Sequence, residues 1–189
     1  GLFGHNLTPT RRAPGYGQMN QPSLTCFMGL VLARKASGIK DPEVEAGIKR
    51  AGMYVESHVG AGAFPYGVHG PKTAFFNNNG TSGSAGLSMA FLENREGARF
   101  FSQLCAPTYD GLEQGHASSF FNGLWTPLGA AMSGPEVTQQ FFKKSLWFFN
   151  MRRSWDGSFP GYEKPGSNVG VALLAYCVPR KVLYITGKD

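Results

Sequence analysis

Three loop segments of this 189-residue chain carry side chains that could perform chemistry. They combine Asp, Glu and His, and paired carboxylates could act as general acid and base in the cleavage of a glycosidic bond. A His or a Tyr could instead serve as the base of an eliminative lyase. The candidate catalytic residues are Asp110, Glu113, His116 and Asp156.

The same loops also carry aromatic rings, an amide and further polar groups. Such a mixture could bind a polysaccharide by ring stacking and hydrogen bonds. The candidate ligand-binding residues are Tyr66, His69, Asn79, Tyr109, Trp155, Tyr162 and Glu163. The four His and three Cys show no metal-ligand spacing, so we expect no metal and no cofactor.

Several of these candidates also have a structural interpretation. Asp156 precedes Gly157, an arrangement typical of a turn in which the carboxylate accepts from nearby backbone N–H groups. Trp155 and Phe159 could pin their loop onto neighbouring helices, and His116 could cap or pack a helix. Glu113 could interact with the positive end of the next helix dipole, and Asn79 lies in an Asn-rich stretch typical of turns. The residue types alone leave both interpretations open.

The segments between the loops alternate between two kinds of helix. Residues 22–33 are apolar on nearly all sides, which predicts a buried helix. Asp41-Pro42-Glu43 then predicts a helix start, with an N-cap acid and Pro at the first helical position. Apolar residues at helical spacing follow, which predicts an amphipathic helix with one wet face: Val44, Ile48, Ala51 and Val55.

This pair of an inner-type and an outer-type helix recurs along the chain. Further apolar segments cover residues 81–92, 116–132 and 168–178. Helix starts precede the amphipathic segments at Asn94 and at Ser133–Glu136, where Ser and Glu three residues apart predict a capping box.

One glycine in each inner-type helix defines a register for the repeat. Gly29, Gly86, Gly123 and Gly170 are separated by 37 to 57 residues, close to the ~40–50 residues of two-helix repeats. We expect each to mark a close approach to a neighbouring helix. Stacked helix hairpins follow, either as an open solenoid or as a closed ring.

Charge and composition argue against nucleic-acid binding and against a membrane span. The net charge of +6 is scattered in basic pairs, whereas nucleic-acid binding needs a concentrated basic stripe. No apolar run approaches the ~20 residues of a membrane span. Cys26 and Cys177 lie within apolar helix patterns, so we expect both to be buried thiols.

Several motifs resemble known families. The turn Trp155–Phe159 is similar to the aromatic-Asp-Gly-Ser-aromatic turns of the terpenoid cyclase and prenyltransferase group, whose members are α/α toroids. Residues 115–130, Ser133–Glu136 and Leu183–Lys188, together with that turn, resemble an uncharacterised family of large bacterial proteins assigned to the same group. The resemblance implies an α/α toroid and favours an exported, periplasmic or extracellular location.

The chain departs from the better-known toroids at their functional motifs. It has no Asp-x-Asp-Asp acid of the cyclases, and its His and Cys spacings do not support the zinc set of the prenyltransferases. Glu113-Gln114 matches part of the thioester motif of complement domains, but no Cys stands at the required place.

These observations lead to a fold and to competing functions. We expect an irregular segment over residues 1–21 and an all-α, toroid-type helical repeat domain over 22–189. Four inner-type and three outer-type helices are fewer than the usual six pairs, so we expect a fragment of a longer protein. A structural or protein-interaction scaffold, contacting other domains of the same chain, is the first hypothesis. Glycan binding or cleavage is the alternative, and an isoprenoid cyclase is a distant third.

Overall fold

The computed structural model describes residues 19–38, 40–67, 79–107, 111–112, 120–159 and 169–180. In these ranges the protein forms seven α-helices and no β-strand, with isolated β-bridges such as that between Met19 and Gly67, so the all-α prediction is confirmed. The helices are α1 Asn20–Ser37, α2 Pro42–Glu56, α3 Asn79–Phe91, α4 Arg95–Cys105, α5 Phe120–Ala131, α6 Pro135–Met151 and α7 Val169–Cys177. A 3-10 turn, Val178–Arg180, follows α7.

Two of the three predicted helix starts are confirmed. The Asp41 carboxylate accepts from the N–H groups of Glu43 at 2.8 Å and Val44 at 3.0 Å, which caps α2. The Asn94 side chain accepts from Gly97 N–H at 2.9 Å and caps α4.

The predicted capping box before α6 is wrong. The N-cap is Gly134, with φ of 97° and no side-chain cap hydrogen bond. The Ser133 hydroxyl instead pairs with the Ser102 hydroxyl of α4. A tertiary partner has replaced the local one, which the local sequence motif could not indicate.

The odd-numbered helices contact one another in chain order, α1 with α3, α3 with α5 and α5 with α7. Each even-numbered helix packs on the odd-numbered helix before it, and α2 and α4 also contact the odd-numbered helix that follows. The residues of α3 from Gly80 to Met89 are all buried, because α1, α2, α4 and α5 surround this helix.

Helices α3 and α5 touch through their backbones. A Cβ added at Gly83 would lie 2.3 Å from the Trp125 carbonyl oxygen, and one added at Gly129 would lie 2.3 Å from the Gly83 Cα. Only glycine can occupy these two positions without moving a helix.

The predicted glycine register is correct at one position. Gly86 does meet a close neighbour, since a Cβ there would lie 3.3 Å from Ser102 N of α4. A Cβ at Gly123 would make an ordinary 3.7 Å contact, and Gly29 and Gly170 have no atom within 4 Å of that position. Regular spacing along the chain therefore did not identify the residues that allow close packing.

The two outermost odd-numbered helices are only partly covered. Helix α1 exposes Cys26, Gly29 and Leu32, so the prediction of a buried helix and a buried Cys26 is wrong on that face. Helix α7 exposes Leu173 at 57% and Leu174 at 36%. Among the described residues, neither helix has the surrounding neighbours that bury α3.

Candidate functional site

The structure describes four of the predicted site residues: Tyr66, Trp155 and Asp156, with Asn79 as the first residue of α3. The remaining predicted residues lie outside the described part of the chain and stay predictions: His69, Tyr109, Asp110, Glu113, His116, Tyr162 and Glu163.

The loop that carries Tyr66 is fastened to the N-terminal end of α1. The Asn20 side chain donates to the carbonyl oxygens of Pro65 at 2.8 Å and Gly67 at 2.9 Å. The Asn20 N–H donates to the Tyr66 carbonyl at 3.1 Å, and the Tyr66 side chain is half-buried. The position of Tyr66 is thus set by backbone hydrogen bonds to a buried Asn.

A second buried Asn joins the next loop to α3 and α5. The Asn122 side-chain oxygen accepts from Gly80 N–H at 3.1 Å, and its NH2 group donates to the Gly111 carbonyl at 3.2 Å. Ser82 on α3 accepts from Phe64 N–H at 3.1 Å. Two loops therefore meet the N-terminal ends of α1, α3 and α5.

Sequence reasoning missed Asn20, Ser82 and Asn122. All three are buried polar residues in the first turns of a helix. Because a buried polar group needs a hydrogen-bond partner, a polar residue at a position predicted to be buried could have indicated a tertiary contact. Amides and hydroxyls with these partners position the loops and do not supply an acid or a base.

The third loop begins with the turn at Trp155 and Asp156. Ser154 N–H donates to the Ser158 carbonyl at 2.8 Å, and Gly157 N–H donates to the Ser154 carbonyl at 2.9 Å. Ser158 N–H donates to the Asp156 carboxylate at 2.9 Å, while Gly157 has a φ of 86° that favours glycine.

Hydrogen bonding by Ser158, from its side chain and its backbone, holds the pKa of the exposed Asp156 below its usual value. Asp156 is therefore ionised at neutral pH, whereas a general acid needs a raised pKa. This geometry matches the turn interpretation of Asp156.

Trp155 and Phe159 have opposite environments. Trp155 is 100% exposed, so the interpretation that it pins the loop is wrong. Phe159 is buried, lies 6.4 Å from the Tyr176 ring between centroids, and shares a small cleft with Gly123 of α5 and Ala172 of α7. Phe159 is the residue that anchors this turn, near the N-terminal ends of α5 and α7.

An apolar groove lies elsewhere, between α6 and the end of α7. Its volume is about 810 Å³ and its lining is mainly apolar. It is lined by Ala131, Gly134, Pro135, Glu136, Thr138, Gln139, Phe142, Lys143, Leu146, Tyr176, Val178 and Pro179. None of the four predicted site residues that the structure describes lines this groove.

Two buried side chains with reactive groups, His58 and Cys105, have surroundings that indicate a structural role. His58 Nδ1 lies 3.0 Å from the Tyr54 carbonyl, and its ring packs 4.8 Å from the Phe64 ring. Cys105 is fully buried, and burial raises the pKa of its thiol far above the usual value. Within the described ranges, no group of three or more His, Cys, Asp or Glu side chains is placed to hold a metal ion.

None of the described helices has the length and hydropathy needed to cross a bilayer. Among curated proteins and among solved structures, nothing matches this chain. A family described as "Domain of unknown function (DUF6288)" matches residues 1–187. The chain therefore belongs to the DUF6288 family.

Proposed function

We propose that this chain is a structural or protein-interaction scaffold built from helix hairpins, forming part of an α/α toroid. The observation that carries the proposal is the direct backbone contact of α3 and α5 at Gly83 and Gly129. Helices that touch without intervening side chains have little freedom to slide, because close-packed interiors resist deformation. Rigidity of this kind suits a domain that holds other parts of a larger protein in place.

The order of helix contacts supports a hairpin array. The odd-numbered helices form one continuous layer, and each even-numbered helix lies on its predecessor in that layer. The resemblance of Trp155–Phe159 to toroid turns favours curvature of this layer into a ring, with α1 and α7 at its open ends.

The polar groups at the loop end also fit a scaffold. Asn20 and Asn122 hold loops by hydrogen bonds, and the Asp156 carboxylate closes a turn. Polar groups with such partners specify shape, because leaving one of them unpaired would be costly.

A thermal-shift screen with oligosaccharides, polysaccharide fragments and divalent ions tests this proposal. A ligand that binds only the folded state would add about 2.7 kcal/mol at 100 times its dissociation constant. A scaffold without a small-molecule site gives no ligand-dependent shift in melting temperature. The Trp155→Ala variant then gives no shift either. A sugar-specific shift would contradict the proposal as stated.

Glycan binding or cleavage is the second candidate, and the full exposure of Trp155 favours it. A flat aromatic ring presented to solvent could stack on a sugar. The alternative requires a sugar-specific shift that disappears in folded Trp155→Ala and persists in Trp147→Ala, since Trp147 lies outside the predicted loops. Cleavage would further require loss of turnover when Asp110, His116 and Asp156 are replaced together.

A further inference from the structure

We propose that the end of α6 and the turn after it bind the surface of an anionic lipid bilayer. The surface, here called the α6-terminal patch, consists of Trp147, Met151 and Trp155 with the cations Lys143, Lys144, Arg152 and Arg153. This inference is independent of the scaffold proposal, because it concerns the outer surface and not the packing of the hairpins.

Exposed apolar side chains are concentrated in this patch. In the described part of the chain, eight large hydrophobic side chains are exposed, and three of them belong to the patch. The exposed fractions are 46% for Trp147, 80% for Met151 and 100% for Trp155. Scattered exposed hydrophobics are normal on protein surfaces, whereas a contiguous group marks an interaction site.

Helix geometry brings the patch together. Lys144, Trp147 and Met151 are spaced at i, i+3 and i+7, so they share one face of α6. Trp155 follows Met151 by four residues, which limits their Cα separation to roughly 14 Å. The apolar groups therefore form one short strip along the outside of the protein.

The charges around the strip are mainly positive, apart from Asp156, which directly follows Trp155. From Val137 to Trp155 the sequence contains four cations and no acidic residue. The Arg153 guanidinium lies beside the turn, with its Nη2 3.3 Å from where a Cβ of Gly157 would stand. The Arg152 guanidinium lies over the Phe148 ring, 5.3 Å from its centroid. Cations thus flank the exposed Trp155.

This combination matches the interface of an anionic membrane. Helices that lie in that interface present Trp and aliphatic groups to the acyl boundary and Lys or Arg to the headgroups. A glycan would gain from the Trp rings but little from the 80%-exposed Met151. Glycan sites are also concave and have convergent polar groups, while this strip is the outer face of a helix.

The test is co-sedimentation of the 189-residue protein with vesicles. Vesicles of phosphatidylcholine and phosphatidylglycerol in equal parts should bind the protein, and phosphatidylcholine vesicles should bind it much more weakly. Binding should weaken as salt is added, because the headgroup attraction is screened. Equal binding to both vesicles, or to neither, would overturn the proposal.

Two variants of the patch and one control locate the contact. Trp147→Ser with Met151→Ser and Trp155→Ser should weaken vesicle binding at least tenfold, as should Lys143→Gln with Arg153→Gln. The control Met53→Ser removes a 59%-exposed methionine on α2 and should leave binding unchanged. Circular dichroism and the melting temperature confirm that each variant is folded. A patch variant that is folded and binds like the control contradicts the proposal.

Tryptophan fluorescence reports insertion directly. Trp155→Phe and Trp147→Phe should each remove part of the quenching by vesicles with brominated acyl chains, while Trp125 on α5 stays unquenched. Retention by a soluble anionic polysaccharide without vesicle binding, lost in the same variants, would assign the patch to glycans and refute the lipid proposal.

Discussion

Helices α3 and α7 were predicted to be of the same inner type, but their environments differ. Helix α3 contains Thr, several Ser and three Gly, and its residues from Gly80 to Met89 are all buried. Helix α7 is the more apolar of the two, consisting of Val, Ala, Leu, Gly, Tyr and Cys, and yet it exposes Leu173 and Leu174. Burial here follows the number of neighbouring helices and not the hydropathy of the helix itself.

Small residues explain how α3 gains so many neighbours. Gly83 admits the α5 backbone, and Gly86 admits the α4 backbone on another side. Helix α7 has a glycine of its own, but Gly170 faces open space. A glycine in an apolar helix therefore indicates close packing only when another helix is present to approach it.

Replacing Gly83 by Ala should have the largest effect on this contrast. The new Cβ would lie 2.3 Å from the Trp125 carbonyl oxygen, so α3 and α5 must separate. We expect a loss of about 3 kcal/mol in the free energy of unfolding, measured by urea denaturation.

The matched control is Gly29→Ala on α1, where no atom lies within 4 Å of the Cβ position. It should stabilise the protein by about 0.5–1 kcal/mol, because Ala has the higher helix propensity. Equal tolerance of both substitutions would mean that α3 and α5 do not cross at Gly83.

Truncation of one leucine in each helix should give a difference of comparable size. Leu87 on α3 is fully buried, and Leu87→Ala should cost about 2–5 kcal/mol. Leu173 on α7 is 57% exposed, and Leu173→Ala should change stability by only about 0.5 kcal/mol. A large cost at Leu173 would show that something covers this face in solution.

Thiol labelling should distinguish the buried and exposed sides of the array without changing the sequence. Cys26 on α1 is exposed, whereas Cys105 is buried and its raised pKa disfavours the reactive thiolate. Iodoacetamide followed by mass spectrometry should modify Cys26 in the native protein and Cys105 only after unfolding. Comparable native rates would contradict the burial of Cys105.

The smallest expected effect concerns the Asp156 turn. Because the folded state lowers the pKa of Asp156, the ionised carboxylate stabilises the turn above its usual pKa of 3.8. That contribution disappears as the pH falls through the lowered value. The difference in melting temperature between wild type and Asp156→Ala should therefore be present at neutral pH and shrink in acid. A difference in melting temperature that grows in acid would contradict the lowered pKa of Asp156.

The sequence predicted the features of the fold that depend on local chemistry. Asp41 and Asn94 cap their helices as expected, because an N-cap requires only a side chain and the next few N–H groups. The exposed face of α1 and the pairing of Ser133 with Ser102 depend on where distant helices lie. No local pattern contains that information.

The candidate site stays a prediction, since most of its residues lie outside the described part of the chain. The described parts of the three loops contact the odd-numbered helices near their N-terminal ends, through Asn20, Asn122 and Phe159. The roles of Trp155 and Phe159 could not be separated in advance, since both are aromatic residues of one turn. The exposure of Trp155 distinguishes them.

The enclosure of α3 has a consequence for the order in which the protein opens. Its backbone amides can meet solvent only if the helices around it move away, so their hydrogen exchange should occur through global unfolding. Helix α7, with one face already wet, can fray without disturbing the contact between Gly83 and Gly129. The amides of α3 should therefore exchange slowly and those of α7 rapidly. A partner that binds a locally unfolded segment would bind at α7.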